Sequence, residues 1–411
     1  MGKISVKKTV LPNGVRVVSE RMDHVRSVSL GIWIGVGSGN ETNTNNGISH
    51  FLEHMVFKGS KKRSAREIAL SLESLGGSIN GSTGKDVTVY TAYVLDEHID
   101  IAIDVLTDII REPKLSDSDI TLEKNVVLAE ISHSLENPED MILDEFYSHL
   151  FPNHPLGFLI LGKPENVRKF GREDLLNFMQ QEYTGDRFVF AAAGHVDHDH
   201  FVELVKRHFE PFAITSNNKH FVPLPKASTG VIRHSHKSSN QAHIVIGSTI
   251  FGYNDERKYA LALLDLTLGG GMSSRLFQNI REKYGFAYNV YSFTDLMADI
   301  GAFGCYMACD VKRVDQAVEL LMHEIDKIRK NTITEKELDM IKSQVKGMML
   351  LGMESSSRRM RKIAETEIYN AKHISLDEVL EKVNKISPSD LTEIANEFLA
   401  EPKLTTTILT P

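Results

Sequence analysis

The chain carries one order of elements twice, and no other feature restricts its fold as strongly. Val28-Ser-Leu-Gly-Ile-Trp-Ile-Gly35 and Ala242-His-Ile-Val-Ile-Gly247 are short apolar runs of the kind that form buried strands. Each precedes a helical segment, His50-Phe-Leu-Glu-His54 in the first copy and Ala262-Leu-Leu-Asp-Leu266 in the second, 212 residues further on. Asp100, Ala102 and Leu106 recur as Asp315, Ala317 and Leu321 at an offset of 215, and Val167, Asp174 and Leu175 recur as Val383, Asp390 and Leu391 at 216. Ordered matches at nearly constant spacing indicate a duplicated unit of about 200 residues.

The duplication predicts two homologous domains, 1–212 and 231–411, joined by a polar, Pro-interrupted linker at 213–230. Strands such as Asp86-Val-Thr-Val-Tyr-Thr-Ala-Tyr93 lie too close to their neighbours for parallel crossovers throughout. The expected class is therefore α+β, each domain a largely antiparallel sheet with helices packed on one face. Helix starts are marked by Ser64-Ala-Arg-Glu67, Thr334-Glu-Lys-Glu337 and Ser387-Pro388. Asp197, inside His195-Val-Asp-His-Asp-His200, reads as another cap at the surface, and His234 and His236 alternate on a strand that is expected to expose them.

With 41% hydrophobic residues, 25% charged residues and a net charge of −8, the chain has the composition of a globular protein that can build its own core. Its acidic balance argues against nucleic acid or an anionic membrane as partner, since both require concentrated positive charge. No apolar stretch approaches the roughly 18 residues of a membrane span, and the N-terminal residues do not read as a signal peptide, so a cytoplasmic location is expected. The cysteines, Cys305 and Cys309, share one face of a strand and read as core thiols.

The chemistry is concentrated in His50-Phe-Leu-Glu-His54. On a helix the two histidines are i, i+4 and can converge on one metal ion, with Glu53 beside them. Two imidazoles need a third protein ligand. Glu130 is the candidate, on a helical run where Glu123 lies seven residues earlier on the same face; two solvated glutamates are the alternative reading of that run.

These segments resemble the pitrilysin-type inverzincin zinc metallopeptidases, most closely the bacterial branch related to the mitochondrial processing peptidase. The likeness runs from Leu11-Pro-Asn-Gly14 through Gly47-Ile-Ser-His-Phe-Leu-Glu-His-Met-Val-Phe-Lys-Gly59 and Gly76-Gly-Ser-Ile-Asn80 to Ile280-Arg-Glu-Lys-Tyr-Gly-Phe-Ala-Tyr288. It implies zinc held by His50, His54 and Glu130, with Glu53 as the general base toward the water in the fourth position. Glu123 would support a ligand, Arg281 and Tyr288 would hold substrate carbonyls and the oxyanion, and Asn80, Gly81, Ser82 and Thr83 would form an edge strand for the substrate. Gly81 departs from the small alanine usual there. The counterparts of the motif in the second copy are Ala262, Asp265 and Leu266, so that copy cannot hold zinc there, which implies one zinc per chain. The resemblance further implies two domains facing each other across a chamber, a homodimer, and endopeptidase action on unfolded or extended peptides. A catalytically silent peptide-binding or scaffold subunit is the competing expectation.

Overall fold

The computed structural model describes residues 6–209, 224, 226–236, 239–330 and 333–411. Among them, β1 (Val6–Val10), β2 (Arg16–Arg21), β3 (Ser27–Ile34), β4 (Ser78–Thr83), β5 (Thr88–Leu95) and β6 (Phe188–Gly194) form one sheet, in the order β1-β2-β6-β3-β5-β4. A second sheet contains β7 (Gly230–Ser235), β8 (Ala242–Phe251), β9 (Ala287–Leu296), β10 (Ile300–Cys309) and β11 (Thr405–Thr410), in the order β7-β11-β8-β10-β9. Apart from β1, the two orders correspond strand for strand. β2 pairs parallel with β6, as β7 does with β11, while every other pairing is antiparallel. The duplication read in the sequence is thus present in the topology, and β4 and β9 occupy equivalent edges.

Contacts divide the chain into two compact units that interleave in sequence. One contains the described residues of Met1–Ile131, Leu159–Val222 and Leu350–His373; the other contains those of Ser132–Phe158, Pro223–Met349 and Ile374–Pro411. This differs from a division into contiguous halves, and the expected linker at 213–230 falls largely outside the described residues.

The physical reason lies in the central strands. β6 is buried at every position and β3 at seven of its eight, so both faces of the first sheet need cover. One face packs on a core that includes Phe51, Leu52, Leu106 and Phe201. The helix Ser356–Ile368, from the second half of the chain, covers the other with Met360, Ile363 and Ala364 against Val18, Trp33, Val189 and Ala191. In the second unit the helix Pro138–Leu150, from the first half, does the same with Ile142, Phe146 and Leu150 against Val245, Tyr306 and Leu409. Helices therefore cover both faces of each sheet, where the sequence pattern predicted one.

Local signals behave largely as their chemistry requires. Ser64 and Glu67 exchange the two bonds of a capping box, while ahead of Pro388 the Ser387 amide and hydroxyl both donate to the Asp390 carboxylate, at 2.7 and 2.8 Å. At Thr334 only half the box forms: its hydroxyl accepts from the Glu337 amide at 3.2 Å, but the Glu337 carboxylate turns to Arg275 at 2.7 Å. Asp197 accepts from the His200 amide at 2.9 Å, as expected of a cap. Cys305 and Cys309 are buried free thiols whose pKa values burial pushes up.

Candidate metal centre

The helix Ile48–Val56 starts without a Ser, Thr or Asp cap, because Gly47 occupies that position at φ 99°. A side chain there is excluded twice over: the backbone is left-handed, and a Cβ would lie 2.7 Å from Gly162 Cα. The capping work is done from a distance by Glu41, which is 2% exposed. Its carboxylate accepts from the Gly47 amide at 2.7 Å, the Ser49 amide at 2.8 Å and the Asn46 side chain at 2.8 Å. Burial pushes the Glu41 pKa up to about 7 against the pull of those donors. Sequence reading missed this residue; an acidic side chain seven positions before a helix with no capping side chain of its own was the available signal.

Phe51, Leu52, Met55 and Val56 are buried on the core side of this helix, which fixes its rotation and turns His50, Glu53 and His54 together. The two rings lie 4.6 Å apart between centroids, at 62°. On the helix Asp117–Glu136 the buried positions are Ile120, Glu123, Val127 and Ile131, so a carboxylate sits within an apolar stripe. Two partners compensate Glu123 for that burial: its Oε1 lies 2.8 Å from His54 Nδ1 and its Oε2 accepts from Lys58 Nζ at 2.7 Å. The reading of two solvated glutamates does not hold for Glu123. Glu130, two turns on, is half-exposed and places Oε1 3.7 Å from His50 Nε2 and Oε2 3.4 Å from His54 Nε2.

Those separations exceed ordinary hydrogen bonds, and they match two atoms each bound to one ion. Ligands about 2.0–2.1 Å from a tetrahedral zinc lie about 3.3 Å apart. The donor set, two imidazoles and a carboxylate, also suits zinc. Burial, with His54 adding to it, lowers the His50 pKa to about 4, which keeps its ring neutral and its lone pair available. The residues therefore fit the ion.

Glu53 lies against β4. The Thr83 hydroxyl donates to its Oε2 at 3.1 Å, and burial raises its pKa. A Cβ on Gly81 would stand 2.7 Å from Glu53 Oε1, so the departure from alanine at this position leaves the carboxylate its room. Among the described residues β4 pairs only with β5, at the sheet edge, and Asn80 and Ser82 are exposed. Thr83 and Gly81, predicted only as part of a substrate strand, thus also shape the surroundings of Glu53. Lys58 was likewise not singled out in the sequence.

In the second unit, Arg281 lies in the π-helical turn Phe277–Lys283 and Tyr288 on β9. The guanidinium sits over the rings of Phe277 and Tyr288, 4.6 Å from each centroid, and Tyr288 is 79% exposed. The histidine-rich run after β6 gathers no metal-binding group among the described residues: His195 pairs with Asp96, His198 with Ser19 and Thr9, and His200 with Asp100. No helix among the described residues is long and apolar enough to cross a membrane.

Residues 16–163 match the family described as Insulinase (Peptidase family M16), and residues 169–345 match the Peptidase M16 inactive domain. The YmxG protein of Bacillus subtilis, named as an uncharacterized zinc protease, is 37% identical over 396 residues, covering 96% of each chain. A Mycobacterium tuberculosis protein named in the same way is 36% identical over 403 residues, covering 97% of this chain and 91% of its own. In fold, a protease from Helicobacter pylori superposes with a TM-score of 0.93 at 23% identity, covering 99% of this chain and all of that one. A Pseudomonas fluorescens structure described as a peptidase M16 inactive domain gives a TM-score of 0.90 at 20% identity, covering 99% and 98%. The name of the second family match agrees with a second copy in which Ala262 and Leu266 replace the histidines. With the His50/Glu53/His54 helix in place and relatives matching along nearly its whole length, the chain belongs to peptidase family M16, the pitrilysin-type family.

Proposed function

We propose that this chain is a zinc-dependent endopeptidase that hydrolyses peptide bonds in unfolded or extended peptides. One observation carries the reading: His50, His54 and Glu130 come together beside a half-buried carboxylate, Glu53, to which the edge-strand residue Thr83 donates. Zinc bound there supplies Lewis acidity, polarising a carbonyl and bringing the pKa of water toward neutrality.

The protein groups divide the remaining work. Thr83 occupies Glu53 Oε2, which leaves Oε1 as the atom that takes a proton and returns it to the leaving amine. The raised pKa of Glu53 moves it toward the range where both transfers are easy. Glu123 holds His54 through Nδ1 and so directs Nε2 toward Glu130. The free edge of β4, along Asn80, Gly81, Ser82 and Thr83, suits an added peptide strand; the Gly81 amide now donates to the Asn80 side chain at 3.0 Å, a bond that an incoming backbone carbonyl would replace. Arg281 and Tyr288 are assigned to substrate carbonyls and developing negative charge. A homodimer in the cytoplasm completes the proposal.

The test is a defined peptide mixture incubated with parent and Glu53→Gln protein, with and without chelator, and read by mass spectrometry. Chelator-sensitive cleavage that falls by a factor on the order of 10²–10⁴ in the variant is expected. Cleavage products absent from the parent, with peptide binding intact, would instead indicate a silent binding subunit.

A further inference from the structure

A second group of ligand-type side chains lies in the other unit, away from the duplicated motif. Glu145 and His149 are i, i+4 on the helix Pro138–Leu150, and His234 projects from β7, the edge strand of the second sheet. Their ligand atoms form a nearly equilateral triangle: His149 Nε2 to His234 Nε2 is 3.2 Å, and each of these nitrogens is 3.6 Å from the same oxygen, Glu145 Oε2. The imidazole planes are within 12° of parallel, with centroids 4.9 Å apart.

We propose that Glu145, His149 and His234 form a second metal site, for a divalent first-row transition ion of the zinc class, which ties this helix to the edge of the sheet. The motif site of the same protein provides the standard of comparison. There the imidazole-to-carboxylate separations are 3.4 and 3.7 Å, one to each oxygen of Glu130; in the second group both are 3.6 Å, to one oxygen of Glu145, and the donors are again two imidazoles and one glutamate. Both sites also present Nε2 and fix one histidine through its other nitrogen. His149 Nδ1 lies 3.2 Å from the Thr407 hydroxyl on β11, as His54 Nδ1 lies 2.8 Å from Glu123.

The placement of His234 follows from strand alternation. In the parallel pairing of β7 with β11, His234 is opposite Leu409 and Ile232 opposite Thr407, so His234 shares the sheet face that Leu409 presents to Phe146 and Leu150. His234 is half-buried beneath the helix, contrary to the exposed position expected from the sequence. The three side chains remain 15%, 32% and 29% exposed for His149, Glu145 and His234, which leaves an ion a route in and at least one position for water. An edge strand held to its sheet by one neighbour gains most from such a cross-link, because the helix comes from a segment about 85 residues earlier.

Metal content separates this site from the catalytic one. The full chain is saturated with zinc or cobalt, freed of excess ion, and analysed by elemental mass spectrometry as parent, His54→Ala, His234→Ala and the double variant. Two, one, one and no ions per chain are expected. In the His54→Ala background, cobalt should give the visible absorption of a nitrogen- and oxygen-ligated ion, and zinc should raise the melting temperature; Glu145→Gln should weaken both while leaving the circular dichroism of the metal-free chain unchanged. A parent that holds one ion, together with a His54→Ala variant that holds none, would overturn the proposal and leave a hydrogen-bonded histidine pair. Unchanged metal content on His234→Ala would overturn it as well. Neither result bears on peptide cleavage by the motif site.

Discussion

Replacing Glu123 by Gln tests how the apolar stripe of one helix controls the motif on another. The carboxylate is 3% exposed and serves two donors, His54 Nδ1 at 2.8 Å and Lys58 Nζ at 2.7 Å. A glutamine of the same shape has one accepting end. If its oxygen faces His54, its amide group opposes Lys58, which is 38% exposed along its side chain and can turn to water. If its oxygen faces Lys58, the amide donates to His54 Nδ1, and the ring must carry its proton on Nε2, the nitrogen that faces Glu130. The first arrangement loses the charge-assisted bond, and the second disables the ligand atom. Outer partners of this kind typically control metal affinity by about 10- to 100-fold, or about 1.4–2.7 kcal/mol. Zinc affinity measured by competition with a chelating dye should fall by that factor, with the fold unchanged by circular dichroism. An affinity within about twofold of the parent would refute the claim that Glu123 orients His54.

Gly81→Ala sets a Cβ 2.7 Å from Glu53 Oε1 and 3.0 Å from Phe57, so the base must shift by several tenths of an ångström. Turnover should fall by about 10- to 100-fold with zinc affinity preserved, and an undiminished kcat would show that the carboxylate has slack. Tyr288→Phe removes an exposed hydroxyl while keeping the ring under Arg281, so steady-state kinetics should show kcat lowered by roughly 10- to 1,000-fold and zinc content unchanged. His50 has its folded pKa depressed to about 4, so the unfolded chain binds a proton that the native chain refuses; metal-free protein should keep its full stability above about pH 6.5 and lose on the order of 3 kcal/mol as pH falls toward 4. Denaturant titrations of parent and His50→Gln across that range would show a flatter profile in the variant, and parallel profiles would discard the assignment.

What the sequence made legible was periodic or tied to a fixed spacing. Two histidines four apart on a helix, a glutamate seven residues from another, and runs such as Phe188–Gly194 with no polar position all announce their geometry without help from distant contacts. The partners that complete the site were not legible in this way. Glu41 reaches across a loop to cap a helix, Lys58 turns back on a buried carboxylate, and Thr83 donates sideways from a strand whose own pattern only says that it is half-exposed. The interleaving of the units had a partial signal. Strands apolar on both faces demand a second cover, but Met360, Ile363 and Ala364 look like any other amphipathic stripe until it is known which sheet lacks one.

The second copy shows which parts of the motif belong to the architecture. Asp265 stands where Glu53 stands, on the helix Lys258–Leu268, and it too is bonded to a hydroxyl on the equivalent edge strand: Ser292 on β9 donates to Asp265 Oδ1 at 2.5 Å, as Thr83 on β4 donates to Glu53 Oε2 at 3.1 Å. In both copies burial raises the carboxyl's pKa. A carboxylate clamped to the last strand of the sheet is therefore a device of the duplicated fold, joining helix to edge whether or not histidines flank it. In the second copy Ala262 is exposed and Leu266 packs, partly buried, against the core, so neither flanking position offers a ligand and the shorter Asp265 is left to the clamp alone. In the first copy one additional methylene, two flanking imidazoles and the space above Gly81 leave the second oxygen free for a proton. The Thr83 bond is thus the part of the site common to both copies, and the proposed mechanism uses the oxygen that this clamp leaves.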